Sequence, residues 1–125
     1  MYPHCTVNNM NPKIEKWLFG LDADFQEVAS AMISLVMTTH PGMIANWKYG
    51  VPYFECNGVV CFFNKKKEGI DVGFMKGHRM PKDLPMLEDR GLKLVRHIVM
   101  PRKPSIEHFD AMSIALNEAV LLNLK

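Results

Sequence analysis

The stretch Trp47-Lys48-Tyr49-Gly50-Val51-Pro52-Tyr53-Phe54-Glu55-Cys56, then Asn57-Gly58, then Val59-Val60-Cys61-Phe62-Phe63-Asn64 decides the fold. Strand-like runs rich in β-branched and aromatic residues flank Asn-Gly, which is the strongest short hairpin signal because the tight turn needs positive φ at both central residues. A two-residue turn at Asn57 and Gly58 makes Cys56 face Val59, Phe54 face Cys61 and Pro52 face Phe63. Those six then share one side of the sheet, and Val51, Tyr53, Glu55, Val60, Phe62 and Asn64 share the other. Pro52 has no N–H to donate, so it belongs on an edge or at the first paired residue of its strand.

Working outward, Lys65-Lys66-Lys67-Glu68-Gly69 reads as a second turn, returning into Ile70-Asp71-Val72-Gly73-Phe74-Met75 with Ile70, Val72 and Phe74 on its apolar side. The result is a three-stranded antiparallel meander. Gly50 and Gly73 mark points of close approach by a backbone or a ligand. Gly77 to Gly91 is polar and broken by Pro81 and Pro85, which predicts a long loop with at most one helical turn around Leu84 to Leu87. Leu92 to Met100 reads as a further strand closed by Pro101, with Arg96 on the same side as Leu94 and Ile98.

Helical spacing frames this sheet. Asn11 caps a short helix with Pro12 at its first position, ended by Gly20. Asp24 and Glu27 stand three apart like a capping box before Phe25, Val28, Ala29, Met32, Leu35 and Val36, a helical stripe that stops at His40-Pro41-Gly42. Pro104-Ser105 opens a last helix, buried along Phe109, Met112, Leu116, Ala119 and Val120. Helices at both ends around an antiparallel meander plus a further strand give an α+β domain, and 125 residues fit one such domain, residues 1–125.

Residues Lys65 to Lys103 carry eleven Lys or Arg against five Asp or Glu, whereas the whole chain is only +2. A basic middle attracts anionic ligands if its charges gather on one face, but +2 overall is too little for strong nonspecific nucleic-acid binding. The first ten residues lack the basic start and apolar run of a secretory signal, and the longest apolar stretch, Ala31 to Met37, is far short of the ~20 residues that span a bilayer. A cytoplasmic protein without a membrane partner is expected. The odd cysteine count, Cys5, Cys56 and Cys61, fits a reducing compartment with cysteines packed as small apolar groups.

No phosphate loop, His-Glu-x-x-His helix, Gly-x-Ser-x-Gly elbow or paired Cys-x-x-Cys occurs. Neither the histidines nor the cysteines have zinc spacing, and a cysteine among Phe and Val is poorly placed to become a nucleophilic thiolate even beside a histidine. No catalytic residue and no metal ligand is assigned. Arg96, flanked by apolar neighbours, needs a carboxylate, a bound anion or solvent, with a structural salt bridge favoured.

The run Ile44-Ala45-Asn46-Trp47-Lys48-Tyr49-Gly50-Val51-Pro52-Tyr53-Phe54, with Gly58, Cys61-Phe62-Phe63, Lys66, Gly73-Phe74 and Val95-Arg96-His97-Ile98, resembles the YdhG-like family of uncharacterised bacterial domains over most of residues 24–120. The resemblance implies an antiparallel sheet with flanking helices, similar in outline to the YjbR group and to frataxin-like proteins. It also implies iron handling as an alternative function, with iron held by Asp22, Asp24, Glu27 and nearby histidines.

The leading expectation is a non-catalytic module that binds a small, anionic ligand or a partner segment. Its site would comprise Trp47, Lys48, Tyr49, Pro52, Phe54, Lys66 and Arg96, the aromatics giving contact area and the cations charge. Iron delivery is the rival, and an enzyme of unrecognised type is the third reading. Unpaired strand edges leave a route to a homodimer.

Overall fold

The structure, a computed structural model, describes residues 11–125. Cys5 and the start of the chain, on which the export reading rests, lie outside the described residues. The architecture is α+β. Helices α1 (Pro12–Phe19) and α2 (Ala23–Thr39) precede strands β1 (Ile44–Lys48), β2 (Val51–Glu55), β3 (Val59–Lys65), β4 (Gly69–Phe74) and β5 (Arg96–Pro101), and α3 (Ile106–Leu124) closes the chain. The five strands lie in sequence order, every neighbour antiparallel.

The run from Trp47 to Cys56 is two strands rather than one. Tyr49 (φ 54°) and Gly50 (φ 75°) form a two-residue turn of the hairpin type, with Lys48 opposite Val51. A Tyr in the left-handed region is uncommon, so the sequence hid this turn. The turn shifts the side-chain alternation: Ala45 and Trp47 pack towards the helices, and from β2 onward so does Phe54, while Tyr53 lies on the other face. The meander therefore has five strands, not three plus one.

The Asn57-Gly58 hairpin forms with Phe54 opposite Cys61 as expected, but its loop has three residues. Glu55 stands opposite Val59, a bulge on β3 accommodates the extra residue, and the Cys56 N–H is donated to the Gly58 carbonyl at 2.9 Å. Cys56 therefore does not face Val59. The bulge also puts Val60 into the core, 1% exposed, although plain alternation placed it on the opposite face. Pro52 sits in an interior strand rather than on an edge. Its register with β3 begins only at Tyr53, so the missing N–H costs the ladder nothing.

The helices cover one face. Phe25, Met32, Val36, Phe54, Phe63, Val72, Phe74, Ile98, Met112 and Leu116 are fully buried between them and the sheet. At roughly 2–3 kcal/mol for each large side chain withdrawn from water, this interior is the main driving force of folding. Asn11 caps α1 as expected, its carboxamide accepting the Lys13 N–H at 2.8 Å. The cap of α2 is Asp22, accepting the Phe25 N–H at 3.0 Å, not an Asp24–Glu27 box; the helix starts one residue before Asp24, leaving that side chain inside the first turn. Ser105 and His108 exchange cap bonds at the start of α3.

The far end of α3 is fixed by one side chain. Asn123, 5% exposed, donates from its amide to the carbonyls of Cys56, Gly58 and Val59 at 3.1 Å each and accepts from the Lys76 ammonium at 2.7 Å. Asn57 in turn donates to the Asn123 carbonyl at 2.7 Å. Replacing Asn123 by alanine takes the amide donor from the buried Cys56 carbonyl and from the partly buried Gly58 and Val59 carbonyls, and the acceptor from Lys76, so a loss of about 2 kcal/mol is expected in urea unfolding, at unchanged slope.

β5 begins at Arg96, not Leu92, because Leu92 to Val95 belongs to the long loop. The loop's one helical turn is a 3-10 turn at Gly77–Arg79 rather than at Leu84 to Leu87, where the chain makes a non-helical turn with the Leu87 N–H reaching the Leu84 carbonyl at 3.3 Å. It then runs beside β5, where Glu88 and His97 exchange backbone hydrogen bonds at 2.7 and 3.0 Å. No helix of the described residues is long and apolar enough to cross a membrane.

Candidate functional site

Because the helices cover one side only, the site is sought on the other. Successive strand registers place Asn46, Tyr53, Phe62, Gly73 and His97 in one row directly across all five strands. Tyr53 and Phe62 stack with ring centroids 5.1 Å apart and planes 14° apart. Tyr49, at the tip of the first hairpin and 88% exposed, continues the row with its ring 5.6 Å from Tyr53. Gly73 makes this packing possible. A Cβ there would stand well inside contact of the Phe62 ring, whose Cε2 would be only 2.7 Å away.

Charged groups border the row at both ends. At one, Glu55 accepts from Lys48 at 2.8 Å and from the Asn46 amide, and these bonds hold its carboxyl below the usual range while Lys48 is pushed up. At the other, Asp71 is buried and gripped by both terminal nitrogens of Arg90, at 2.9 and 3.0 Å, while Arg90 Nε holds Glu88 at 3.0 Å. The Asp71 carboxylate holds the Arg90 guanidinium firmly charged. Burial raises Tyr53, so the phenol stays protonated.

His97 ends the row. It is 8% exposed and its Nδ1 has no hydrogen-bond partner. Burial, then the nearby Arg90 charge, lowers its pKa from the ordinary 6.5. The folded state then binds fewer protons than the unfolded chain, so the stability due to neutral His97 is complete above about pH 6.5 and declines as pH falls towards the lowered value. The midpoint of thermal unfolding is therefore expected to fall between pH 7 and pH 5 by more in the wild type than in His97→Leu, as differential scanning calorimetry would show.

The residues marked from sequence divide between places. Lys48 and Tyr49 belong to this outer row. Trp47, Pro52 and Phe54 point to the helix side, and Phe54 is fully buried, leaving it no surface for a ligand. Lys66 lies in the β3–β4 turn, its N–H donated to the Gly69 carbonyl at 2.7 Å. Arg96 holds the loop: its guanidinium donates to the Leu92 and Val95 carbonyls at 3.0 and 3.1 Å and lies 3.6 Å from Asp89. Asp71, Arg90 and His97 were missed, while Tyr53 and Phe62, on one side of the hairpin, and Gly73, a point of close approach, were noted in the sequence but not placed in the site. Alternation along β2 and β3 does pair Tyr53 with Phe62, but nothing in the spacing joins Arg90 to Asp71.

Two of the three acids of the iron alternative, Asp22 and Asp24, are already engaged. Arg102 pairs with Asp22 at 2.9 Å and Asp24 at 3.6 Å while lying 4.4 Å from the Phe25 ring centroid, with the Lys65 ammonium 4.2 Å from the same ring. Asp24 and Glu27 line a groove of about 410 Å³ whose other wall is Arg102, Lys103, Pro104 and Phe109. Among the described residues no three His, Cys, Asp or Glu side chains converge on a common point.

One cysteine does have a histidine partner. The Cys56 Sγ lies 3.4 Å from His40 Nδ1, which also accepts the Gly42 N–H at 2.9 Å. That nitrogen is shared and Cys56 is only 4% exposed, a poor arrangement for a nucleophile. Cys61 is fully buried, which pushes its thiol up and away from the reactive thiolate.

Comparisons with protein-family models, curated proteins and solved structures return no match.

Proposed function

We propose that the chain is a non-catalytic binding module whose contact surface is the sheet face turned away from the helices. The row Tyr49–Tyr53–Phe62 carries this reading, because Tyr49, 88% exposed, and the partly exposed Phe62 offer aromatic contact area at little entropic cost on a helix-free face, while Tyr53, itself only 6% exposed, packs between them and fixes their positions. Lys48, Glu55 and Asn46 beside the row supply hydrogen bonds that orient a planar ligand or an aromatic side chain of a partner. Membership of the YdhG-like group belongs to the same proposal and rests on the Ile44–Phe54 stretch.

Iron binding is the rival that one experiment separates. Thermal unfolding of metal-free protein under anaerobic conditions is measured with ferrous iron and, separately, with a panel of planar aromatic compounds, neutral and anionic. The proposal predicts a rise in midpoint with a member of the panel, lost in Tyr49→Ala, and none with iron. A ligand at ~100 times its dissociation constant adds about 2.7 kcal/mol. A rise with iron alone, abolished by Asp24→Asn with Glu27→Gln, contradicts it.

A further inference from the structure

The two edges of the sheet differ. The outer edge of β5 is bridged at His97 by Glu88 and ends in Pro101, whereas among the described residues nothing pairs with the outer edge of β1. The two-residue turn after β1 makes Lys48 and Val51 a hydrogen-bonded pair, and hydrogen-bonding direction alternates along an antiparallel strand. Lys48, Asn46 and Ile44 therefore turn their backbone groups to β2, and Ala45 and Trp47 turn theirs outward. No proline or bulge blunts this edge.

We infer that β1 pairs with β1 of a second copy of this chain, antiparallel about a two-fold axis through Asn46. In that register Ala45 of each copy faces Trp47 of the other, and the outward N–H and C=O groups of these residues close four hydrogen bonds. A small side chain opposite a large one fits on the helix side, where registers centred on Ala45 or Trp47 would set like against like. On the outer side Ile44 faces Lys48 of the second copy. Since Ile44 stands opposite Glu55 within its own chain, each copy's Lys48 enters the row holding the other copy's Glu55, and the charges complement. Ile44, 59% exposed, is covered. A closed two-fold pair uses the β1 edge of each copy once and removes it as a template for further strand addition.

The same axis makes the outer rows collinear: the sequence His97, Gly73, Phe62, Tyr53, Asn46 runs on into Asn46, Tyr53, Phe62, Gly73, His97 of the second copy. The pairing itself is independent of what that face binds.

Light scattering gives the mass, and cysteine cross-linking in a Cys5→Ser background gives the register. Wild type is expected at twice 14.3 kDa. Asn46→Cys should form a disulfide-linked dimer on mild oxidation, since the two residues face each other across the axis, while Ile44→Cys should not, its two copies lying about 13 Å apart along the strands. Asn46→Lys, which places two ammonium groups at the axis yet keeps a partner for Glu55, should run at the mass of one chain with its fold retained by circular dichroism. A wild-type mass of one chain at the highest soluble concentration overturns the inference. So does cross-linking of Ile44→Cys as readily as Asn46→Cys, or a folded Asn46→Lys that stays dimeric.

Discussion

Arg90→Ala is expected to lower the unfolding free energy by about 3 kcal/mol, the lower end of the cost of breaking a buried ion pair, because one third of the arginine side chain meets water. The Asp71 side chain is only 6% exposed, and among the described residues the forked pair with Arg90 supplies all the hydrogen bonds its carboxylate makes. Without the guanidinium, a charge remains on a covered strand with no partner. The midpoint should drop on the order of 10 °C. Adding Asp71→Asn should recover much of the loss, since a neutral amide costs far less to bury than a carboxylate. Arg90→Lys keeps the charge but loses the fork and should fall between. Because Arg90 also ties Glu88, hydrogen exchange of the His97 and Glu88 amides should quicken in Arg90→Ala. Equal losses in Arg90→Ala and in the double variant would show that the pair is not what holds the loop.

Gly73→Ala is expected to cost about 2 kcal/mol, although alanine normally strengthens a strand relative to glycine. The new methyl group would meet the Phe62 ring and force it off the sheet, breaking its stack with Tyr53. The cost should vanish when Phe62 is already alanine, giving a coupling of about 2 kcal/mol in a double-mutant cycle. The same Gly73→Ala loss in both backgrounds would mean that the ring does not lie over Gly73.

Much of the fold was legible because local chemistry and tertiary structure agree. Asn11-Pro12 starts a helix, Asn57-Gly58 turns a hairpin, Ser105 caps a helix, and the stripes of α2 and α3 match the buried side chains. The fifth strand was hidden because Tyr49 carries a turn that the sequence disguises as strand. That one turn also moved the candidate site. Reversal at Tyr49-Gly50 sends Trp47 to the core side with Phe54 and leaves Lys48 and Tyr49 on the outer face, so the residues expected in one site are split between two. Val60 misleads for a similar reason, since a bulge of one residue exchanges faces.

The polar part of the site depends on contacts the sequence does not announce. Asp71 and Arg90 are 19 residues apart and meet because the long loop runs back along β5. Arg96 was correctly in need of partners, and they prove to be two loop carbonyls and Asp89. Asp22, Asp24 and Glu27 looked available for a cation, but Arg102 approaches the first two from far along the chain.

The helix-free sheet face is proposed as the binding surface. Its most direct test is a two-dimensional NMR titration of isotope-labelled protein with a mixture of planar aromatic fragments, which locates a preferred contact surface whatever the natural ligand is. Shifts are expected to gather on Lys48, Tyr49, Tyr53, Glu55 and Phe62, and to be lost in Tyr49→Ala. Shifts confined to the groove of Glu27, Lys103 and Phe109, with the Tyr49–Phe62 row unmoved, would contradict it.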